Sequence, residues 1–149
     1  MAEDSTEKSA NANRTEHHSA LAVGLMIGRY KITSVLGQGG FGITYLCQDT
    51  QLHRDVAIKE YLPSSLAVRQ DGTTVLPRST EMSKDFVWGR SRFLDEARTM
   101  ARLGHAPAVV RVHDFLEAHG TAYVVMQLLD GETLEQHLKR QTRLTQVAV

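Results

Sequence analysis

Several things are scarce in these 149 residues, and each scarcity removes a class of explanation. There is one cysteine, Cys47, so no intrachain disulfide can form, which fits a reducing compartment. Cys47 sits in an apolar strand-like run and reads as a small sheet residue, not a nucleophile. The formal net charge is zero, so no charged surface points to nucleic acid. The longest apolar run, Ala20 to Ile27, is far too short to span a bilayer and follows an acidic-polar start unlike a secretory leader. The expectation is a cytoplasmic chain with no membrane segment and no nucleic-acid partner.

What remains suffices for one domain: 42% of residues are apolar and 23% charged. Residues 1–27 read as a disordered or flexible tail, since the polar start cannot bury enough surface to offset its ordering entropy. His17-His18 within it has no third ligand nearby and reads as a solvated pair. The folded part is expected over 28–149.

The organising stretch runs from Val35 to Lys59. Gly37, Gly39 and Gly42 stand at the spacing G-x-G-x-x-G, and Val56-Ala57-Ile58-Lys59 follows, with Lys59 seventeen residues beyond Gly42. A glycine-rich turn lets backbone N–H groups approach phosphate oxygens, and a lysine on the next strand can reach the same oxygens as a point charge. The glycine spacing also opens dinucleotide folds, but there the third glycine begins a helix. Here Ile43, Thr44, Tyr45, Leu46 and Cys47 follow, a β-branched and aromatic run that favours a strand. Strand, glycine turn, strand is a hairpin. The bland alternative is a tight hairpin followed by a surface lysine.

From about Arg29 onward these motifs resemble the N-terminal lobe of a eukaryotic-like, bacterial-type serine/threonine protein kinase. The resemblance implies an α+β fold: about five antiparallel strands, one main helix and the start of a hinge helix. It implies ATP as ligand, with Leu36 and Thr44 covering the adenine, Gly37, Gln38, Gly39, Gly40, Phe41 and Gly42 forming the flap, and Ala57 touching the ring. The family usually has Val where Thr44 stands. Lys59 would hold the α- and β-phosphates, Met126 would be the gatekeeper, and backbone groups of Gln127 and Leu129 would bind the adenine edge. Many relatives have Glu at the position of Gln127, but a backbone contact tolerates that change.

Ala57 and Lys59 share one face of their strand, and Glu60 points the other way. Tyr61 to about Phe86, with Pro63, Gly72 and Pro77, reads as a loop or lid with short strands. By resemblance, bacterial relatives carry segments much like Lys59-Glu60-Tyr61-Leu62-Pro63 and Phe86-Val87-Trp88-Gly89. Ser91 to Leu103 places Phe93, Ala97 and Met100 on one stripe ahead of Gly104, which predicts an amphipathic helix with a C-terminal glycine. Glu96 lies at the edge of that stripe and, by resemblance, pairs with Lys59. The alternatives are an exposed Glu96 bridging to nearby arginines, or Asp95 as the partner. His105 to Val110 resembles the family's post-helix connection. Val110, Val112 and Phe115 form a strand, as do Tyr123 to Met126, and Thr133 caps a helix to about Arg140.

The family's H-R-D-x-x-x-x-N catalytic loop and D-F-G metal ligand do not occur. His113-Asp114-Phe115 and Asp85-Phe86-Val87 are decoys that fail by composition and position. The chain ends at Val149, where a kinase would begin its larger lobe, so the expectation is a truncated kinase domain, inactive alone, with Mg2+ a cofactor only of the complete family. A non-catalytic module that binds another protein or kinase lobe through its exposed inter-lobe face is the alternative, and a plain small nucleotide-binding protein is a third reading.

Overall fold

A computed structural model describes residues 19–103 and 110–128. Residues 105–109 of the expected His105–Val110 connection, Leu129, the Thr133 helix and the tail through His18 lie outside the described residues. Six strands form one antiparallel sheet: β1 (Met26–Ile27), β2 (Tyr30–Gln38), β3 (Gly42–Asp49), β4 (Arg54–Tyr61), β7 (Val112–Ala118) and β8 (Thr121–Gln127). Their order is β1-β2-β3-β4-β8-β7. The α+β class holds, with one strand more than the five expected.

The extra strand lies upstream of the Gly28 boundary. Met26 and Ile27 pair with Lys31 and Tyr30. Leu21 and Ile27 are buried, because these apolar residues cover one face of the sheet. At residues 19–27 the tail expectation therefore fails, and the physical reason is this apolar anchoring. In β2 the register shifts twice, between Ile32 and Ser34 and between Val35 and Gly37. Such bulges increase local twist and help curl the sheet at its glycine end.

The segment read as a loop or lid with short strands does carry short strands. It contains a second, two-stranded sheet, β5 (Ala67–Gln70) and β6 (Thr74–Pro77). Ala67 and Val75 from this hairpin are buried against the same apolar cluster as Tyr45, Cys47, Val56 and Ile58. The segment is a cover for the sheet, not a free loop. It turns back through Asp71 and Gly72, both at positive φ, where glycine carries no steric cost.

The helix α1 spans Thr80–Arg102, eleven residues earlier at its start than the expected Ser91. Ser79 caps it, its side chain accepting from the Met82 N–H at 3.2 Å. The helix runs through Gly89, although glycine disfavours helix interiors. A Cβ there would fall 2.3 Å from the Tyr61 hydroxyl, so glycine permits close helix–strand approach. Tyr61 donates to the Phe86 carbonyl at 3.0 Å and packs its ring on Phe86 and Phe93, at 5.3 and 5.6 Å between centroids. The helix thus lies on the sheet face that carries Ala57, Lys59 and Tyr61.

Candidate nucleotide site

Alternation along β4 divides its side chains between two environments. Val56, Ile58 and Glu60 face the hairpin-covered side. Ala57, Lys59 and Tyr61 face the helix. In register, Ala57 stands opposite Met126 on β8 and opposite Leu46 on β3. Lys59 stands between Val124 and Thr44, and Thr44 in turn faces Gly37. Leu36 and Ala57, expected against the adenine, and Met126, the expected gatekeeper, belong to one apolar cluster with Ala97, Val110 and Val124. The sheet therefore brings these three expected site residues together and lays Thr44 and Lys59 along the path to the glycine turn.

The turn itself has two kinds of glycine. At Gly37, Gly39 and Gly40 an added Cβ would meet nothing within 4 Å, so the backbone there borders open space. At Gly42 it would fall 2.0 Å from the Glu60 carbonyl oxygen, so glycine lets β3 and β4 close together. Gly39 N–H donates to Gly42 O at 2.9 Å across the turn. Phe41 at the tip is 79% exposed.

Beneath the turn lies a cavity of about 580 Å³ between β4 and α1. Phe41, Lys59 and Glu96 line it together. The expected Lys59–Glu96 ion pair is not made: no N–O distance of 4.0 Å or less joins them, and both side chains are exposed. Water solvates two charges on an open wall, so little drives them together there. Asp95 is instead paired with Arg98, 2.8 Å away on the helix surface. That pairing leaves Glu96 as the acidic group on this turn of helix that faces the cavity.

Several cavity residues were not among the expected ones. Asp85, Trp88 and Arg92 line the wall from α1, with the Arg92 guanidinium 5.0 Å from the Trp88 ring centroid. The signal for them existed in the spacing 85, 88, 92, 96, an i, i+3, i+7, i+11 series. Starting the helix at Ser91 leaves Asp85 and Trp88 outside it. Gln38 ends β2, Gly40 lies on the turn, and Gln127 ends β8, its N–H donating to Arg111 O at 2.8 Å.

The opposite face of β4 carries a buried polar cluster. Glu60, fully buried, accepts from Tyr45 (2.8 Å) and Tyr123 (2.7 Å) and is ion-paired to Arg69 from β5. Burial and the neighbouring Glu60 charge both push the two tyrosine hydroxyls well above their ordinary range. Arg69 also donates to the carbonyls of Ser19 (2.6 Å) and Thr73 (2.7 Å). Burial alone would lower the Arg69 pKa, but Glu60 outweighs it and holds the guanidinium charged. Glu60 is thus anchored on three sides, which fixes the strand rotation that turns Lys59 toward the cavity.

The arrangement matches known proteins. The family pattern described as "Protein kinase domain" matches residues 30–149. This chain belongs to the protein kinase family. The N-lobe is 34% identical over 123 residues to the serine/threonine-protein kinase PknD of Mycobacterium tuberculosis, covering 83% of this chain and 16% of that kinase. It is 35% identical to PknA of the same species, covering 79% of this chain and 24% of PknA. The chain therefore spans about a sixth to a quarter of the length of these curated relatives. Among solved structures, the apo form of PpkA-294 superposes with a TM-score of 0.73 at 40% identity, covering 83% of this chain and 43% of that one. The Mycobacterium tuberculosis PknI kinase domain superposes at 0.53 with 29% identity, covering 82% and 41%. The curled sheet with one helix is the kinase N-lobe.

Proposed function

We propose that this N-lobe binds ATP in the half-cleft bordered by the glycine turn, Lys59 and the Leu36–Ala57–Met126 cluster. The observation that carries the reading is the register Gly37–Thr44–Lys59, which sets an open glycine backbone and a cation on one face of adjacent strands. The residues fit the ligand: a Cβ at Gly37, Gly39 or Gly40 would stand in the open space that a phosphate needs. Leu36, Ala57 and Met126 would hold the adenine, with Thr44 beside them, and the flap from Gly37 to Gly42 and Lys59 would hold the phosphates. The Gln127 N–H is already engaged by Arg111, so an adenine contact from this residue falls to its carbonyl. Leu129, outside the described residues, would supply the second backbone contact. Glu96, which lines the same cavity as Lys59, would pair with it when ATP is bound.

In the complete family the bound ATP, with Mg2+, supplies the phosphoryl group for transfer to protein serine or threonine. These 149 residues contain neither H-R-D-x-x-x-x-N nor D-F-G. Transfer depends on positioning and on charge neutralisation by metal, so we infer that this sequence alone does not catalyse it. A cytoplasmic setting is proposed with this reading. Among the described residues no helix is long and apolar enough to cross a membrane.

A partner-binding role is the second reading. Phe41 and Trp88, 79% and 63% exposed, lie at the cavity wall as apolar surface open to another protein or kinase lobe. Competition experiments separate the two: a fluorescent ATP analogue bound to the 149-residue chain should be displaced by Mg-ATP and far less by Mg-GTP, since the hinge backbone reads the adenine edge. A folded chain that binds no nucleotide but dimerises with concentration would favour the second reading.

A further inference from the structure

Four glycines in six residues and an exposed Phe41 at the tip leave the flap little side-chain packing, and glycine backbone is the costliest to order. Its hydrogen bonds are therefore what fix it. Besides the Gly39–Gly42 bond, two of them come from outside the hairpin. Leu62 N–H donates to Phe41 O at 3.0 Å, and Ser64 N–H donates to Gly40 O at 3.0 Å, with the Ser64 hydroxyl 3.3 Å from the same oxygen. The donor segment is itself held. Leu62 is buried, and Pro63 has its φ locked and accepts from Leu66 and Ala67 N–H at 3.0 and 2.9 Å. The Arg78 guanidinium, just past β6, donates to Ser64 O at 2.9 Å, and the Arg78 N–H donates to Leu66 O at 2.8 Å.

We propose that Leu62–Ser64 is a strap that preorders the glycine flap for phosphate binding, braced from the β5–β6 hairpin through Arg78. Peptide units are planar and trans, so fixing the Gly40 and Phe41 carbonyls fixes the N–H groups of Phe41 and Gly42 across the same bonds. A flap whose donors are already oriented loses less freedom when it meets an anion. Ser64 and Arg78 are positioning residues in this account, and the functional part of it rests on the nucleotide reading above.

Two variants of the full 149-residue chain test it. Ser64→Pro removes the N–H and the hydroxyl at a turn position that follows Pro63. Arg78→Ala removes the guanidinium bond to Ser64 O at an exposed site, keeps the backbone bond to Leu66 O and leaves the flap sequence untouched. Amide hydrogen exchange at Gly39 and Leu62 is read without ligand, and Mg-ATP affinity by titration. Loss of one such bond corresponds to about fivefold, so exchange at both amides should quicken about fivefold or more in Ser64→Pro, and less in Arg78→Ala. Mg-ATP affinity should fall in the same order, with global unfolding midpoints little changed in Arg78→Ala. Unchanged exchange in both variants overturns the strap, whatever the affinity does. Quickened exchange with unchanged affinity overturns its role in phosphate binding. If the unsubstituted chain binds no Mg-ATP, the nucleotide reading and the role built on it both fail, while the exchange data still decide the strap as a structural feature.

Discussion

Removing Arg69 should cost more stability than removing any surface charge in this lobe. The side chains of Arg69 and Glu60 are 5% and 0% exposed. Replacing Arg69 by Met keeps most of the apolar stem volume and deletes the cation. Glu60 then remains buried with only the Tyr45 and Tyr123 hydroxyls as donors. Breaking a buried pair from one side costs about 3–5 kcal/mol, because the remaining charge has lost its compensation. The Ser19 and Thr73 carbonyls also lose a donor, but water can reach these partly buried groups, so they add little. For a chain of this size the melting temperature should drop by roughly 6–20 °C. Urea denaturation followed by circular dichroism gives the free energy directly. A double-mutant cycle with Glu60→Gln should show coupling of about 2 kcal/mol or more, the double variant costing less than the sum of the singles. An Arg69→Met loss below about 1 kcal/mol would refute the reasoning, since that is the range of a solvated surface pair.

The two kinds of flap glycine should separate cleanly. Gly42→Ala drives a Cβ into the Glu60 carbonyl and should cost about 2 kcal/mol or more in urea unfolding, whereas Gly39→Ala, facing open space, should stay within about 0.5 kcal/mol. Equal losses at the two positions would contradict this. Cys47 is fully buried, and burial pushes its thiol up to about 12, so an aromatic disulfide reagent at pH 8 should label it only after unfolding. Labelling within minutes in the folded chain would show the strand to be open. At Asp49, burial alone would raise the carboxyl pKa, but the N–H groups of Leu52 and Gln51 and the Arg29 guanidinium outweigh it and hold it below the ordinary carboxylate range. A depressed folded pKa contributes stability that is present above about pH 4 and is lost as pH falls through the folded value. The stability gap between the unsubstituted chain and Asp49→Asn should therefore narrow from pH 7 to pH 3, and a constant gap would count against the assignment.

The sequence was most legible where periodicity and special residues agreed. The β2–β3 hairpin, the Ala57–Lys59 face and the opposite orientation of Glu60 all follow from period-two alternation, which a strand obeys whatever packs against it. The start of α1 was not legible, because Gly89 signals a break locally and only the Tyr61 hydroxyl explains why a glycine sits inside a helix. The roles of Arg69 and Glu60 were hidden for the same reason. An isolated arginine at the end of a short apolar run gives no sign that a hairpin will carry it onto the far side of the sheet. The anchoring of Leu21 and Ile27 depends likewise on surface that exists only once the sheet is formed. Long-range contacts, not propensity, decided each of these places.

The nucleotide reading stands or falls on Lys59. Thermal shift of the folded, monodisperse chain with Mg-ATP, alongside Lys59→Ala, tests it most directly. A rise in melting temperature that grows with ATP concentration and disappears in Lys59→Ala is the predicted result. An equal rise in both proteins would put the ligand somewhere other than the Gly37–Thr44–Lys59 face, and no rise in either would move partner binding to the front.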